Sequence, residues 1–361
     1  MSEKLKVGIL GATGMVGQRF ITLLYDHPWF EIEVLAASAR SAGKTYEEAV
    51  GGKWKMDVPM PECVRSMVVR DVSDVENVAR DVDMVFSAVN MTKEEIKAIE
   101  IEYAKTETPV VSNNSAHRWT EDVPMVIPEI NSEHFHVIEA QRKRLGTTRG
   151  FIAVKPNCSI QSYTPALAAW KAFEPTQLVV STYQAISGAG KTFADWPEMV
   201  ENIIPYIGGE EEKSEQEPLK IFGHIEDGRI VKAEGPQITC QCIRVPVLNG
   251  HTATVFINFA KKPTFEELVQ ALRDFKGPAQ ELKLPSAPEH FIQYLEDNDR
   301  PQVKADVNYA NGMGVSIGRL RPDTLFDWKF VGLSHNTLRG AAGGAVECAE
   351  MLKALGYITK K

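Results

Sequence analysis

The sequence has no apolar run approaching the ~18 residues that a membrane-spanning helix requires, so no span is expected. It also lacks a basic excess. Its 40 Lys and Arg stand against 48 Asp and Glu, and the net charge of −8 is spread along the chain rather than gathered in a tail. That balance disfavours a nucleic-acid partner, which needs a basic face, but permits a small anionic ligand held by local arginines. Cysteine is scarce. Cys63, Cys158, Cys240, Cys242 and Cys348 are odd in number and scattered, which suits free thiols in a reducing cytoplasm. Cys240-x-Cys242 has the wrong spacing for a zinc hook and has no CxxC partner, so no metal is expected. The start, Met1-Ser2-Glu3-Lys4-Leu5-Lys6, runs directly into an apolar strand, and no signal peptide is expected. Repeats and low-complexity stretches are missing too.

What is present is an ordinary globular composition, 43% hydrophobic and 24% charged over 361 residues, enough for two domains with full cores. Strand-like runs at 5–10, 31–37, 83–89, 109–112 and 151–154 alternate with helical spacing at 19–25 and 93–105. This rhythm predicts an α/β fold with a doubly wound, Rossmann-like parallel sheet. After Cys158 the rhythm changes. Long β-rich runs at 178–186, 238–247, 252–259, 315–320 and 326–333 point to an α+β domain with a mixed or antiparallel sheet. Helix-forming residues occupy 198–220, and Thr264 can cap a helix over 263–275. The Ala/Gly-rich segment 337–355 reads as a closing helix that returns to the first domain. The division expected is therefore 1–157, completed by a C-terminal helix within 337–361, and 158–336.

Gly8-x-x-Gly11-Ala12-Thr13-Gly14-Met15-Val16-Gly17 follows the first strand and opens a helix. Such glycines permit a tight turn and close approach of backbone to a pyrophosphate, which a helix N-terminus favours. A carboxylate for ribose hydroxyls normally ends the second strand. This chain has Ser38-Ala39-Arg40-Ser41 there, with Lys44 beyond. A guanidinium with hydroxyls suits a 2′-phosphate, so the expected cofactor is NADP rather than NAD.

Cys158 ends an apolar run in Lys155-Pro156-Asn157-Cys158-Ser159-Ile160, a setting for a nucleophile that attacks a carbonyl. A thiol nucleophile needs a base, and His251 stands out among eight histidines because the chain reverses at Asn249-Gly250, bringing Arg244 and His251 toward one pocket.

These segments, with Ser112-Asn113-Asn114-Ser115-Ala116-His117-Arg118, Gln184-Ala185-Ile186-Ser187-Gly188-Ala189-Gly190 and His335-Asn336-Thr337-Leu338-Arg339-Gly340, resemble the aspartate-semialdehyde dehydrogenases, most closely their archaeal and fungal branch. The motifs keep the family's order from about Val7 to the C-terminus. The resemblance implies a second domain of the glyceraldehyde-phosphate dehydrogenase type that serves catalysis and dimerisation, in a homodimer or homotetramer. It implies reversible NADPH-dependent reductive dephosphorylation of L-aspartyl-4-phosphate to L-aspartate 4-semialdehyde through a cysteine thioester, in lysine, threonine and methionine biosynthesis. Cys158 is then the nucleophile, His251 the acid/base and Gln184 the orienting side chain. Substrate contacts fall to Asn157, to Arg244 for the α-carboxylate, to Glu217 for the α-ammonium, and to Arg118 with Lys220 for phosphate. Cofactor contacts fall to Gly11, Thr13, Gly14, Met15, Val16, Ser38, Arg40, Ser41, Ser87, Ser187, Gly188, Asn336 and Thr337. Two departures from the family pattern are Ile160-Gln161-Ser162-Tyr163, where small or apolar residues are more usual, and Pro218 between the two proposed substrate residues. Rival readings are a malonyl-CoA reductase on the same fold and a catalytically silent nucleotide-binding regulator.

Overall fold

The computed structural model describes residues 3–361. Its first sheet carries β1 (Leu5–Leu10), β2 (Phe30–Ala37), β3 (Arg70–Asp71), β4 (Met84–Ser87), β5 (Val110–Ser112) and β6 (Ile152–Val154), all parallel, in the order β3-β2-β1-β4-β5-β6. Every residue of β4, β5 and β6 is buried, as expected of parallel strands covered on both faces. The strand order reverses between β1 and β4, and such a switch point opens a crevice beyond the strands' C-terminal ends. The edge strand β3 was not foreseen from the sequence, because its two residues carry no period.

The second sheet is mixed. It comprises β7 (Pro175–Gln184), β10 (Gln237–Arg244), β11 (His251–Phe259), β12 (Ile292–Leu295), β13 (Val315–Pro322) and β14 (Trp328–Ser334), in the order β10-β7-β11-β14-β13-β12. A separate hairpin of β8 (His224–Glu226) and β9 (Arg229–Val231) stands apart. Along β11, Ala253, Val255, Ile257 and Phe259 are buried, while Thr252, Thr254, Phe256 and Asn258 are half-buried on the other face. The helix Phe265–Asp274 opens on Thr264, whose hydroxyl accepts from the Glu267 N–H while the Glu267 carboxylate accepts from the Thr264 N–H.

Three helices differ from the sequence reading. The first begins at Met15 rather than near Arg19, so Gly17 lies in its opening turn. A Cβ on Gly17 would sit 2.3 Å from the Gly11 carbonyl oxygen, so this packing admits only glycine. Of the polar stretch 198–220, only Glu210–Ile221 forms the long helix, because Pro205 and Gly208-Gly209 interrupt what precedes it. The closing segment is broken by a wide turn over Leu338–Ala342, and the helix proper runs Gly343–Ala354. Its Ala345, Val346, Met351 and Leu352 share an apolar cluster with Val7, Phe20 and Phe86 of the first sheet's side. Arg339, on that turn, is buried and donates to Glu129 at 2.7 and 3.0 Å and to Glu347 at 2.6 Å, which ties the turn to the short helix Pro128–Asn131 and to the closing helix.

The two departures from the family pattern meet in space. Pro218 lies inside the helix Glu210–Ile221 and has no N–H to give the Ser214 carbonyl one turn earlier. The Tyr163 hydroxyl donates to that carbonyl at 2.6 Å instead.

Candidate active site

The two sheets deliver the reactive side chains to one place. Cys158 follows β6, at the C-terminal edge of the parallel sheet, and begins a short turn of helix over Ser159–Ser162. Gln184 and Arg244 end β7 and β10 as direct partners in a parallel pair. His251 begins the neighbouring β11 and pairs with Ser334, from which the chain leads into Asn336 and Thr337. Register alone therefore gathers Gln184, Arg244, His251 and Asn336 at one end of the second sheet, against the cysteine of the first.

Cys158 is half-buried, and its Sγ lies 3.3 Å from His251 Nε2. The Ala185 N–H donates to His251 Nδ1 at 3.1 Å. An amide can only donate, so Nδ1 is the bare nitrogen and Nε2 carries the proton that faces the sulfur. Burial, and then the Arg244 guanidinium, hold the ring's pKa down at about 3, so His251 is neutral, despite the opposing pull of Glu210 and of the Gly250 carbonyl. Burial and Glu210 push the Cys158 thiol up, while Lys155, Arg118 and Arg244 pull it down. Of the amides beside the thiol, that of Asn157 donates to Glu217 at 2.5 Å and that of Ser159 to the Asn157 side chain at 2.8 Å. Cys158's own N–H has no such partner and is left for an oxyanion.

A cavity of about 260 Å³ opens onto the thiol. Met15 and Val16 of the glycine-rich loop line it, facing Ser187, Gly188, Asn336 and Thr337, and Asn113, Asn114 and Arg118 form another wall. A Cβ on Gly188 would lie 3.0 Å from Arg244 Nη1 and 3.2 Å from the His251 ring, so glycine leaves room for those two side chains. Asn336 accepts from the Gly250 N–H and donates to Ser187 Oγ, both at 2.8 Å, which fixes that wall. Arg244 is buried and spends one bond, 2.7 Å from Nη1, on the Ala185 carbonyl.

The acid–base pair foreseen for the substrate is not in this cavity. Glu217 is fully buried, accepting from Arg118 Nη1 at 2.9 Å and from the Asn157 N–H. Lys220 gives its three protons to the carbonyls of Arg118, Thr120 and Val123 at 2.7–3.0 Å. Both are saturated by the protein, so neither is free for a ligand. The residues brought to the cavity are Glu210 and Lys213, which share a 2.8 Å ion pair. Glu210 also accepts from Asn157 Nδ2 at 3.0 Å and from Gln184 Nε2 at 3.3 Å. Burial would raise its pKa, but Lys213 and the Asn157 amide outweigh that and hold it below the usual carboxylate range. A sequence signal for this pair existed, because Glu-x-x-Lys occurs twice in the helix, seven residues apart.

A second cleft, of about 290 Å³, runs on from the loop over the switch point, lined by Gly11, Thr13, Gly14, Ser38, Arg40 and the turn Ala88–Met91. It suits a dinucleotide. A Cβ on Gly11, at φ +82°, would collide with the Ala88 carbonyl oxygen at 2.3 Å. Gly14 caps the helix Met15–Leu24 without a side chain, so the first amides stay open to an anion. Arg40 is exposed and has no ion-pair or hydrogen-bond partner among the described residues. Two expected contacts fall outside both clefts. Ser41 is taken into the turn after β2, its N–H donating to the Ser38 carbonyl at 2.8 Å, and Ser87 is buried, accepting from Asn114 Nδ2 at 3.2 Å.

The semialdehyde dehydrogenase NAD-binding domain matches residues 6–138 and the semialdehyde dehydrogenase dimerisation domain matches residues 165–339. The aspartate-semialdehyde dehydrogenase of Aspergillus fumigatus is 41% identical over 98% of this chain and 99% of its own. That of Methanothermobacter thermautotrophicus is 42% identical over 96% and 98%. The crystal structure of aspartate semialdehyde dehydrogenase with NADP from Candida albicans superposes with a TM-score of 0.88 at 39% identity, covering 99% of this chain and 100% of that one. With a cysteine and histidine in contact between a dinucleotide cleft and a mixed sheet, and with this likeness along its whole length, the chain belongs to the aspartate-semialdehyde dehydrogenase family.

Proposed function

We propose that this protein interconverts L-aspartyl-4-phosphate and L-aspartate 4-semialdehyde with NADP(H), in the cytoplasmic synthesis of lysine, threonine and methionine. The observation that carries the reading is the Cys158–His251 contact in a cavity walled on one side by the dinucleotide-binding loop. Arg40, beside Ser38, receives the 2′-phosphate, and the open amides at Met15 and Val16 receive the pyrophosphate. The domain division 1–157 with 337–361, against 158–336, goes with this reading. The half-buried face of β11 is the surface offered to a second subunit in a homodimer or homotetramer.

The substrate carries a carboxylate, an ammonium and a phosphate, and the site has an anchor for each. Arg244 takes the carboxylate as a bidentate fork, Glu210 the ammonium, and Arg118 with Lys213 the phosphate. Glu217 serves this arrangement indirectly, by holding Arg118 and the Asn157 amide in place. The Cys158 sulfur attacks the acyl carbon, the C–O bond to phosphate breaks, and a thioester forms. NADPH, when bound, supplies the hydride that reduces the thioester. The His251 Nε2–H, aimed at the sulfur, stabilises the charge that hydride transfer leaves on the adjacent oxygen and gives it a proton, and the ring takes that proton back as the C–S bond breaks to release the aldehyde. Gln184, held by Glu210, keeps the acyl group oriented.

The test is phosphate-dependent reduction of NADP with aspartate semialdehyde, with NAD and a no-phosphate control in parallel. Activity with phosphate and NADP, abolished in Cys158→Ala while NADP still binds, supports the reading. No activity, with oxidation of NADPH by malonyl-CoA instead, overturns it.

A further inference from the structure

Hydride can reach an acyl group on Cys158 only through the cavity that opens onto the thiol. Met15 and Val16 of the glycine-rich loop form one of its walls, and Ser187, Gly188 and Gly190, after β7, form the wall opposite. One side chain joins the two sides. Lys55, between β2 and β3, donates to Asp195 Oδ2 at 2.8 Å and to the Gly190 carbonyl at 3.2 Å. Among the described residues these are the only hydrogen bonds that the stretch 189–196 makes to the parallel-sheet part of the chain.

Both ends of this bridge are fixed by further bonds. On the first side Gln18 is buried and spends every polar atom it has. Its amide nitrogen donates to the Thr13 and Lys53 carbonyls, both at 3.0 Å, and its oxygen accepts from the Lys55 N–H at 2.7 Å. The backbone of Lys55 is thereby tied to the glycine-rich loop. On the other side Asp195 Oδ2 also accepts from the Thr192 N–H at 3.0 Å and from the Thr192 hydroxyl at 2.9 Å, which closes the turn that presents it. A continuous run of hydrogen bonds therefore leads from Thr13 through Gln18 and Lys55 to Gly190 and Asp195. The Lys55 and Asp195 side chains keep 25% and 42% of their surface exposed. An ion pair that wet is a weak brace, but a closure that must reopen at every turnover has to be weak.

We propose that Lys55 is a latch on the cofactor cleft. With its bonds to Gly190 and Asp195 made, the wall at Ser187 and Gly188 is held toward the loop at Met15 and Val16, and NADP(H) is retained between them. With those bonds broken the walls part and the cofactor leaves. Lys55 acts through the walls and not on the reacting atoms, so it is a positioning residue. The inference rests on this cleft being the dinucleotide site and is independent of the substrate.

The test follows release of NADPH without any substrate. Bound NADPH is chased with excess NADP, and its fluorescence is read by stopped flow. Asp195→Asn should speed release by roughly two- to fivefold, the range that an exposed ion pair spans. Lys55→Met also loses the bond to Gly190 and should speed release by roughly three- to tenfold. The variant carrying both changes should release NADPH no faster than Lys55→Met alone, because one bridge cannot be lost twice. The association rate constant should change less than the release rate, and the urea midpoints should stay near that of the wild type, which separates a latch from a general loosening of the fold. Unchanged release in both single variants overturns the latch, as does a double variant in which the two effects multiply. Failure of the wild type to bind NADPH at all overturns the cofactor site itself, and the latch with it.

Discussion

The helix Glu210–Ile221 carries the same pattern twice, Glu210-x-x-Lys213 near its start and Glu217-x-x-Lys220 near its end. Seven residues is close to two turns, so both pairs lie on nearly the same face. Their fates differ because the helix runs out of the cavity into the body of the protein. At the first pair the carboxylate and ammonium bond to each other at the cavity wall, and both can turn to a charged ligand. At the second, Arg118 and the Asn157 amide each take one carboxylate oxygen, and three carbonyls take all three ammonium protons. Spacing decides which face a residue occupies. The saturation of its hydrogen bonds decides whether it is free to bind anything.

Substitution at matched positions breaks the comparison open. Glu217→Leu leaves the buried Arg118 charge without its partner, and a cost of about 3–5 kcal/mol in unfolding free energy is expected, read from urea denaturation. Glu210→Gln should cost less stability than that, because its partner Lys213 is half-buried and can turn to water. Its loss should appear instead as a fall of roughly 10–100-fold in kcat/KM, the worth of one hydrogen bond to a charged group. If the stability cost fell on Glu210 and the kinetic cost on Glu217, the assignment of the two pairs would have to be exchanged.

This also marks the limit of what the sequence disclosed. β1 and the helix Lys93–Lys105 were legible to the residue, because apolar runs and helical spacing speak directly of burial. Cys158, His251, Gln184 and Arg244 were legible through their motifs, and strand register brings them together at one end of the second sheet. The choice between two identical Glu-x-x-Lys pairs was not legible, since it turns on where the helix axis points, a tertiary fact. The tautomer of His251 was equally hidden, because it is set by the backbone of Ala185, a residue with no polar side chain. Ser87 carries a hydroxyl in a plausible place, but burial and the Asn114 amide claim it first.

A finer probe of the same helix follows from the Glu210–Lys213 pair. Its ammonium is the leading influence that holds the Glu210 carboxyl below its ordinary range against burial. A carboxylate with a lowered pKa works as an anion down to that lowered value and is lost as pH falls through it. Removing the ammonium raises the pKa, so in Lys213→Ala the acid limb of kcat/KM should move to higher pH, in addition to any rise in KM for phosphate. A limb that stayed in place would mean that Glu210 does not act as the anionic anchor.

The smallest effect belongs to the join between the helix and the cysteine loop. Pro218 frees the Ser214 carbonyl, and Tyr163, five residues beyond the nucleophile, returns a hydrogen bond to it. Tyr163→Phe should cost about 1–2 kcal/mol in stability, since a buried carbonyl loses its donor. In a Pro218→Ala background the restored backbone N–H can serve Ser214 by itself, so the same change should cost less. The coupling energy of that double-mutant cycle isolates the partnership from general packing. Equal costs in the two backgrounds would show that the tyrosine packs against the helix without answering the proline, and the two departures from the family pattern would then be unrelated.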